Sequence, residues 1–215
     1  MPAYFRFGLI YDLGHVFFFL LFKLLFGYKV YGTENIPKSG PVIFASNHAS
    51  FLDPPLIAAG IWRRVNFAGR DNLFKKRWVA FILRQWGTIP ISRERLDKAM
   101  LKSLMVKLKA GEILCVYPEG TRSPDENLQP GKPGIGFIVS MMKGVPVVPV
   151  YIMGSWMCLG KKHKSIRPTP ISVEFGKPVY FDHDGRESGI KGNERYQMIA
   201  DSLMAEIEKL KNSRS

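Results

Sequence analysis

The sequence predicts an α/β fold: a single domain with a mixed central β-sheet flanked by helices, preceded by an apolar helical segment. Strand-like apolar runs alternate with stretches of helical periodicity along the chain, which is the pattern of an α/β domain. A length of 215 residues suits one medium-sized domain with a substantial core. A hydrophobic fraction of 46%, with 13% aromatic residues, argues against disorder.

The N-terminal segment, residues 1–27, is predicted to be a membrane-associating helix. Val16 to Phe26 is apolar except for Lys23, but these eleven residues are too few to cross a bilayer, which needs about 20. Extension back to Tyr4 takes in three residues that are costly at the bilayer centre: Arg6, Asp12 and His15. We therefore expect a helix in the membrane interface whose basic residues reach the headgroups. The alternative is a helix in the protein core.

The following residues, 28–215, alternate between strands and helices. Apolar runs predict strands at Lys29–Tyr31, Val42–Ser46, Val65–Ala68, Ile113–Tyr117, Val147–Ile152 and Ile171–Phe175. Helical spacing and capping residues predict helices at Pro54–Ala59, Arg95–Ala110, Ile135–Lys143 and Glu194–Lys211. Asp53 precedes the first of these helices and is a candidate N-cap. Two prolines within Val145–Val150 predict an edge strand or a bulge there.

The charge balance favours a negatively charged partner. The chain has 31 Lys+Arg against 18 Asp+Glu, a net charge of +13, which attracts phosphates in nucleic acid, lipid or a small substrate. Basic clusters occur at Arg63–Arg64, Lys75–Arg77 and Lys161–Lys164. Beside an aromatic N-terminal helix we interpret them as a belt for anionic headgroups, with plain solvated surface as the alternative. A nucleic-acid partner is disfavoured because no basic-aromatic recognition motif is present.

One histidine and one aspartate stand at a predicted junction between strand and helix. Asn47, His48 and Asp53 follow the strand Val42–Ser46, and ligands of open α/β sheets bind at such ends. A turn that brings the Asp53 carboxylate to the imidazole would fix the tautomer of His48 and stabilise its protonated form. The bland alternatives are a structural histidine and a helix cap.

Two further stretches contain candidate phosphate ligands. Pro118–Arg122 follows the strand Ile113–Tyr117 and supplies a glycine, a hydroxyl, a forked guanidinium and a carboxylate: Gly120, Thr121, Arg122 and Glu119. Glu119 is placed either to hold the neighbouring arginine or to bind substrate. Arg93 precedes a predicted helix, where a bound anion would offset its charge.

Other chemistries find little support. Cys115 and Cys158 lie in apolar runs and are predicted to be buried thiols in a reducing compartment, with one disulfide as the alternative. His15, His163 and His183 lack metal-ligand spacing, so we expect no metal and no cofactor. The absence of a Gly-x-Ser-x-Gly motif argues against a serine hydrolase of the α/β type.

Taken in order, four stretches resemble the four sequence blocks of the glycerolipid acyltransferases, the family of 1-acyl-sn-glycerol-3-phosphate acyltransferases. They are Asn47–Asp53, Gly87–Arg93, Pro118–Arg122 and Val145–Val150. The first matches the family pattern Asn-His-x4-Asp, and the third matches Pro-Glu-Gly-Thr-Arg without exception. The resemblance covers about residues 28–180 and implies that residues 28–215 form an acyltransferase catalytic domain.

The resemblance also implies a reaction. A fatty acyl group would pass from acyl-CoA or acyl-carrier-protein to the free hydroxyl of 1-acyl-sn-glycerol-3-phosphate, giving phosphatidic acid in phospholipid synthesis. His48 would be the general base and Asp53 its orienting partner. Substrate would be bound by Arg93, Glu119, Gly120, Thr121 and Arg122. No acyl-enzyme is required, because the substrate hydroxyl is itself the nucleophile.

The remaining expectations concern the surroundings of the reaction. Oxyanion donors are expected near Gly87 or Gly120. An apolar route for the acyl chain is expected along Phe51, Leu52, the N-terminal helix and Val145–Val150, with packing in the core as the alternative for all of them. The partners would be membrane lipids and an anionic bilayer surface, with the protein peripheral or monotopic on the cytoplasmic face. The alternatives are another lysophospholipid or glycerol-3-phosphate as acceptor, and a non-catalytic lipid-binding module.

Overall fold

A seven-stranded β-sheet forms the centre of the computed structural model, which describes residues 9–91, 98–181 and 192–214. Its strands are β1 (Lys29–Tyr31), β2 (Val42–Ser46), β3 (Val65–Arg70), β4 (Thr88–Ile91), β5 (Ile113–Val116), β6 (Val147–Met153) and β7 (Ser172–Phe175). The helices are α1 (Leu9–Phe26), α2 (Asp53–Ala59), α3 (Arg77–Gln85), α4 (Lys98–Lys109), α5 (Pro133–Met141) and α6 (Gly192–Ser213). The predicted α/β class is therefore confirmed.

The strand order across the sheet is β1-β7-β6-β2-β5-β3-β4. All neighbours are parallel except β6 and β7, so the sheet is mixed, as predicted. β2 lies in the middle and pairs with β5 on one side and with β6 on the other. Each of its five residues is buried, as expected for a parallel strand covered on both faces. The loop that follows β2 therefore lies in the middle of the row of strand ends on one side of the sheet.

Helices cover the sheet in two layers. α1 and α2 pack on one face through residues such as Phe22 and Leu56, whereas α4, α5 and α6 pack on the other. The crossovers β3–α3–β4 and β4–α4–β5 run in opposite directions across the sheet, so right-handed connections place α3 and α4 on opposite faces. α3 thus belongs to the layer of α1 and α2. The ring of Trp86, next to α3, meets that of Phe18 in α1 at 4.9 Å.

α1 has two apolar faces with different surroundings. Phe22 and Phe26 are buried in the core, while Leu13, Phe17 and Leu24 are exposed. The buried face agrees with the core alternative, whereas the interfacial position of the helix stays a prediction. None of the helices within the described residues is long and apolar enough to span a bilayer. Arg6 lies outside the described residues.

The proline-rich run Val145–Val150 is not at a sheet edge. It enters β6, which lies between β7 and β2, so the prediction of an edge strand is wrong. A bulge is present beside this run instead of within it, on the partner segment after β7. Val150 pairs with Phe175 and Val147 with Val179, so the segment after β7 has one more residue between these pairs than β6 does. Pro149 lies opposite the bulge, where its missing N–H breaks no regular pairing.

Two elements were absent from the prediction. β4 is an edge strand that contains Pro90, and a proline weakens the sequence signal of a strand. α3 begins directly after Lys75 and Lys76, in a stretch whose clustered basic residues indicate a headgroup belt or solvated surface and give no helical signal. Both elements lie between the first and third blocks and complete the half of the sheet beyond β5.

Arg63, from the first basic cluster, makes contacts within the fold, and the role of the Arg63–Arg64 cluster in a headgroup belt stays a prediction. The guanidinium of Arg63 donates to the carbonyls of Pro37, Gly40 and Gly111, the last at 2.8 Å. It thereby joins the loop before β2 to the turn before β5, at the end of the sheet where these strands begin. The guanidinium of Arg63 therefore forms its hydrogen bonds with backbone carbonyls of the protein.

Candidate active site

The first and third blocks meet at one edge of the sheet. His48 comes two residues after β2 and Glu119 three residues after β5, and these strands are parallel neighbours. The carboxyl ends of parallel strands lie at the same sheet edge, which is why the two loops are in contact. The ordered loops that follow β2 and β5 therefore build one site.

The predicted contact between His48 and Asp53 is present. His48 Nδ1 lies 2.7 Å from Asp53 Oδ2, and the same oxygen accepts the backbone N–H groups of Ala49 and Ser50 at 2.7 and 2.8 Å. The prediction that Asp53 caps its helix is wrong, because the carboxylate turns back to the preceding loop. The N-cap position of α2 is Leu52, which has no side-chain cap.

The surroundings of this pair set its chemistry. Asp53 is fully buried, whereas 19% of the His48 side chain is exposed. A carboxylate only accepts hydrogen bonds, so His48 Nδ1 carries the proton and Nε2 is the free basic nitrogen. The Asp53 Oδ1 atom is buried and accepts no hydrogen bond within the described residues. A positive charge on the imidazole would thus meet a carboxylate that is only partly compensated.

Glu119 binds the backbone of the His48 loop. Its Oε1 accepts the N–H of His48 at 2.8 Å and its Oε2 the N–H of Gln129 at 3.2 Å, while the Ser123 N–H donates to the His48 carbonyl at 2.6 Å. Burial raises the pKa of Glu119 to about 7, although the two N–H donors partly oppose this effect. The side chain is almost completely buried, and Glu119 and His48 both line one small polar cavity.

Tyr117 contributes a contact that the sequence did not predict. Its ring stacks on the imidazole of His48 with centroids 3.9 Å apart and an interplanar angle of 17°. Tyr117 directly precedes Pro118 and packs against the core on its other side. Burial raises the pKa of its hydroxyl well above the ordinary value. An aromatic residue at the end of β5 was the available signal, but the partner of its ring lies 69 positions away in the chain.

β6, which the fourth block enters, supports the site through its backbone just beyond that block. The carboxamide of Asn47 donates to the carbonyl of Ile152 at 3.0 Å and accepts its N–H at 2.7 Å, as a strand residue would. The β6 part of Val145–Val150 is buried inside the sheet, which agrees with its alternative role as core, and its role in lining an apolar route stays a prediction. Of the other residues predicted for that route, Phe51 is exposed and Leu52 is half-buried.

The rest of the third block lies nearer the surface. Gly120 has a φ of 65°, which favours glycine, and is exposed; Thr121 is half-buried. The Arg122 guanidinium lies 3.6 Å from the centroid of the Phe51 ring, and its Nη1 donates to the Leu159 carbonyl at 3.2 Å. Arg122 therefore contacts the loop that contains His48 through the Phe51 ring.

The second block is only partly described. It enters β4, and Arg93 lies outside the described residues. Gly87 precedes β4, so it is at the end of the sheet where the parallel strands begin. His48 follows the opposite end of β2, so the expectation of an oxyanion donor at Gly87 is wrong. Gly120, on the His48 side, is still available for that role.

A small polar cavity adjoins the imidazole. It has a volume of about 30 Å³ and is lined by residues of the His48 loop, the 119–128 loop and the end of β6. This space is sufficient for one or two water molecules but not for a fatty acyl chain. Within the described residues no cluster of side chains has the composition of a metal site, and both cysteines are free and buried.

Comparison with known proteins identifies the family of this chain. Residues 27–153 match the model of the Acyltransferase family. The chain is 31% identical to the chloroplastic 1-acyl-sn-glycerol-3-phosphate acyltransferase BAT2 of Brassica napus, over 81% of this chain and 50% of the relative. It is 28% identical to the Bacillus subtilis protein of the same enzyme name, over 90% of this chain and 92% of that protein. The chain thus spans about half the length of the Brassica relative and nearly all of the bacterial one.

A solved structure shows the same fold. The crystal structure of PlsC, the 1-acyl-sn-glycerophosphate acyltransferase of Thermotoga maritima, aligns with a TM-score of 0.74 at 28% identity. The alignment covers 94% of this chain and 80% of that one. The similarity extends beyond the residues matched by the family model and includes the helices at both ends of the described chain.

Proposed function

Because this chain belongs to the Acyltransferase family, we propose that it transfers a fatty acyl group from a thioester to the free hydroxyl of 1-acyl-sn-glycerol-3-phosphate, forming phosphatidic acid. The observation that carries the proposal is the 2.7 Å contact between His48 Nδ1 and a buried Asp53 carboxylate, which leaves Nε2 free as a base. The enzyme names of the Brassica, Bacillus and Thermotoga proteins support this acceptor.

The reaction needs one proton to be moved. His48 Nε2 takes the proton of the acceptor hydroxyl as its oxygen forms a bond with the thioester carbonyl carbon. The bond from that carbon to sulfur then breaks, and the imidazolium returns the proton to the leaving thiolate. The Asp53 carboxylate stabilises the imidazolium between these steps. This stabilisation should depend on the negative charge of Asp53.

Two residues position the base. We assign Glu119 to this role instead of direct substrate binding, because its buried oxygens hold the backbone on the His48 side of the site. Tyr117 fixes the plane of the imidazole, and its ring face attracts the positive charge that forms there. The remaining predicted ligands, Gly120, Thr121 and Arg122, are proposed to bind the acceptor phosphate, together with Arg93 from the second block.

Membrane association is proposed through the exposed face of α1. Leu13, Phe17 and Leu24 lie on the surface of this helix, where an apolar face suits the acyl boundary of one leaflet. Removal of the whole segment would be a poor test, since Phe22 and Phe26 belong to the core. Phe17→Ser with Leu24→Ser leaves that core intact and should lower flotation with liposomes. Unchanged flotation would remove α1 from the interface.

The test of the reaction compares variants that should fold alike. Acyl transfer from an acyl thioester to 1-acyl-sn-glycerol-3-phosphate is measured for His48→Ala, Asp53→Asn and the control Asp201→Asn, which alters an exposed residue of α6. We expect losses in kcat of about 10³-fold or more for the first two variants and wild-type turnover for the control. Circular dichroism checks folding. Wild-type turnover in folded His48→Ala would refute the mechanism.

A substrate panel tests the acceptor and the donor. Products are identified by mass for three acceptors. These are 1-acyl-sn-glycerol-3-phosphate, a zwitterionic lysophospholipid, and glycerol-3-phosphate. Each acceptor is tested with acyl-CoA and with acyl-carrier-protein as donor. Arg122→Ala should raise the KM of the phosphorylated acceptor by about tenfold or more and change kcat less. An unaltered KM would exclude Arg122 from the phosphate site.

A further inference from the structure

α3 presents two apolar faces, although a nine-residue surface helix usually needs one. On one side of the helix Ala80 is buried and Val79 and Leu83 are half-buried. On the opposite side Trp78, Phe81 and Ile82 are 66%, 55% and 47% exposed. Their spacing of three and four residues places them on one side of the helix. This second face packs against no other element in the described part of the chain.

Positive charges lie beside the exposed face. Lys75, Lys76 and Arg77 are all exposed at the beginning of α3, and Arg84 is exposed in its last turn. The first turn of the helix contains no acidic residue. A surface that combines large apolar side chains with several cations complements a partner that has both apolar groups and negative charge.

We propose that α3 is a second membrane-docking element, which inserts Trp78, Phe81 and Ile82 into a leaflet of anionic phospholipid while Lys75, Lys76 and Arg77 contact the headgroups. The proposal extends the membrane association proposed for α1 but uses different residues. With both helices inserted, the domain would have two attachment points and so a defined orientation of its sheet relative to the bilayer.

Two observations favour a bilayer over a protein partner. Tryptophan suits the interface between lipid and water because its ring is apolar and its N–H is polar, and lysines near an anionic surface add attraction. The exposed apolar face of α1 belongs to the same helical layer, and Trp86, which ends α3, contacts Phe18 of α1. The opposite layer contains isolated exposed apolar side chains, such as Val106 and Met198, on separate helices.

The experiment measures binding of the full chain to vesicles of phosphatidylcholine, with and without phosphatidylglycerol. Trp78→Ser with Phe81→Ser should weaken binding by at least about tenfold, given the apolar area withdrawn from the leaflet. Lys75→Gln with Lys76→Gln should weaken binding to the anionic vesicles by about 30-fold and to the neutral vesicles much less. The matched control, Val106→Ser with Met198→Ser, alters equally exposed residues of the other layer and should bind like the wild type.

Fluorescence locates the inserted residue directly. Phospholipids brominated on their acyl chains should quench Trp78, and Trp78→Phe should remove that part of the quenching. The proposal would be overturned if the double variant Trp78→Ser/Phe81→Ser bound vesicles as tightly as the wild type does, or if Trp78 were not quenched. A lipid-free dimer that dissociates in the same variant would assign the face to a second copy of the chain and would also overturn it.

Failure of this proposal can be told apart from failure of the proposed reaction. Acyl transfer is measured in parallel on substrate in detergent micelles, where docking to a leaflet is not required. Transfer in micelles by the α3 variants, with loss of transfer on vesicles, supports the docking role. If the wild type shows no transfer in either system, the reaction is refuted, while vesicle binding and quenching still decide the role of α3.

Discussion

Glu119→Gln should remove a pH dependence of stability that originates from the buried Glu119 carboxyl group. The wild-type side chain is nearly fully buried, and burial raises its pKa from 4.5 to about 7. A carboxyl group with a higher pKa in the folded chain than in the unfolded chain stabilises the fold most below the unfolded value. This contribution is lost as the pH rises through the folded value. Glutamine has nearly the same shape and does not titrate.

The magnitude follows from the two pKa values. A rise from 4.5 to about 7 corresponds to about 3 kcal/mol, at 1.36 kcal/mol for each pH unit. Because the loss begins near the unfolded pKa and ends just above the folded one, most of it, about 2.5 kcal/mol, falls between roughly pH 5 and 8.

The assay is urea unfolding between pH 5 and 8 for the wild type, Glu119→Gln and Glu126→Gln. Glu126 is an exposed residue of the same loop and serves as the matched control. The difference in unfolding free energy between wild type and Glu119→Gln should decrease by about 2–3 kcal/mol across this range. The control should follow the wild type. A difference that stays constant with pH would show that the Glu119 carboxyl does not titrate as its burial requires.

Two further predictions concern packing. Tyr117→Phe keeps the ring that stacks on His48 and should retain kcat. Tyr117→Leu removes the ring and should lower kcat about tenfold with little change in KM, in line with the energy of such stacks. Equal kcat values for the two variants across the pH profile would contradict this. Gly136→Ala should reduce stability by about 2–3 kcal/mol, because its Cβ would lie 2.0 Å from the Tyr196 carbonyl of α6. Gly134→Ala, in the same helix with open space around it, is the control and should be neutral or stabilising in thermal unfolding.

The sheet was largely predictable because its central strands are buried on both faces. Val42–Ser46 has the same bounds in the structure as in the prediction, since a run of five buried residues at a parallel strand leaves little ambiguity. β4 was missed for the opposite reason. It is an edge strand of four residues with Pro90 inside it, so its pairing with β3 depends on tertiary contacts that leave a weak local pattern.

The candidate site was predictable as a set of segments but not as a set of contacts. His48 and Asp53 are close in sequence, so their pairing needs only one turn. The direction of the Asp53 carboxylate depends on that turn, and the backbone N–H groups of Ala49 and Ser50 attract it away from its own helix. Glu119 and Tyr117 reach His48 only because β2 and β5 are neighbours, a fact that spacing along the chain does not contain.

The excess of positive charge divides into groups with different roles, and the division determines what an anionic partner meets. Arg63 donates to three loop carbonyls and Arg122 lies over Phe51 beside the active site, so both are held by local contacts. Lys75 and Lys76 are exposed at the beginning of α3 and act through solvent, where attraction falls off over about 8 Å at physiological ionic strength. Each of the four adds equally to the formal charge of +13. Composition therefore predicts the sign of a partner, whereas only the burial of each cation shows which surface attracts it.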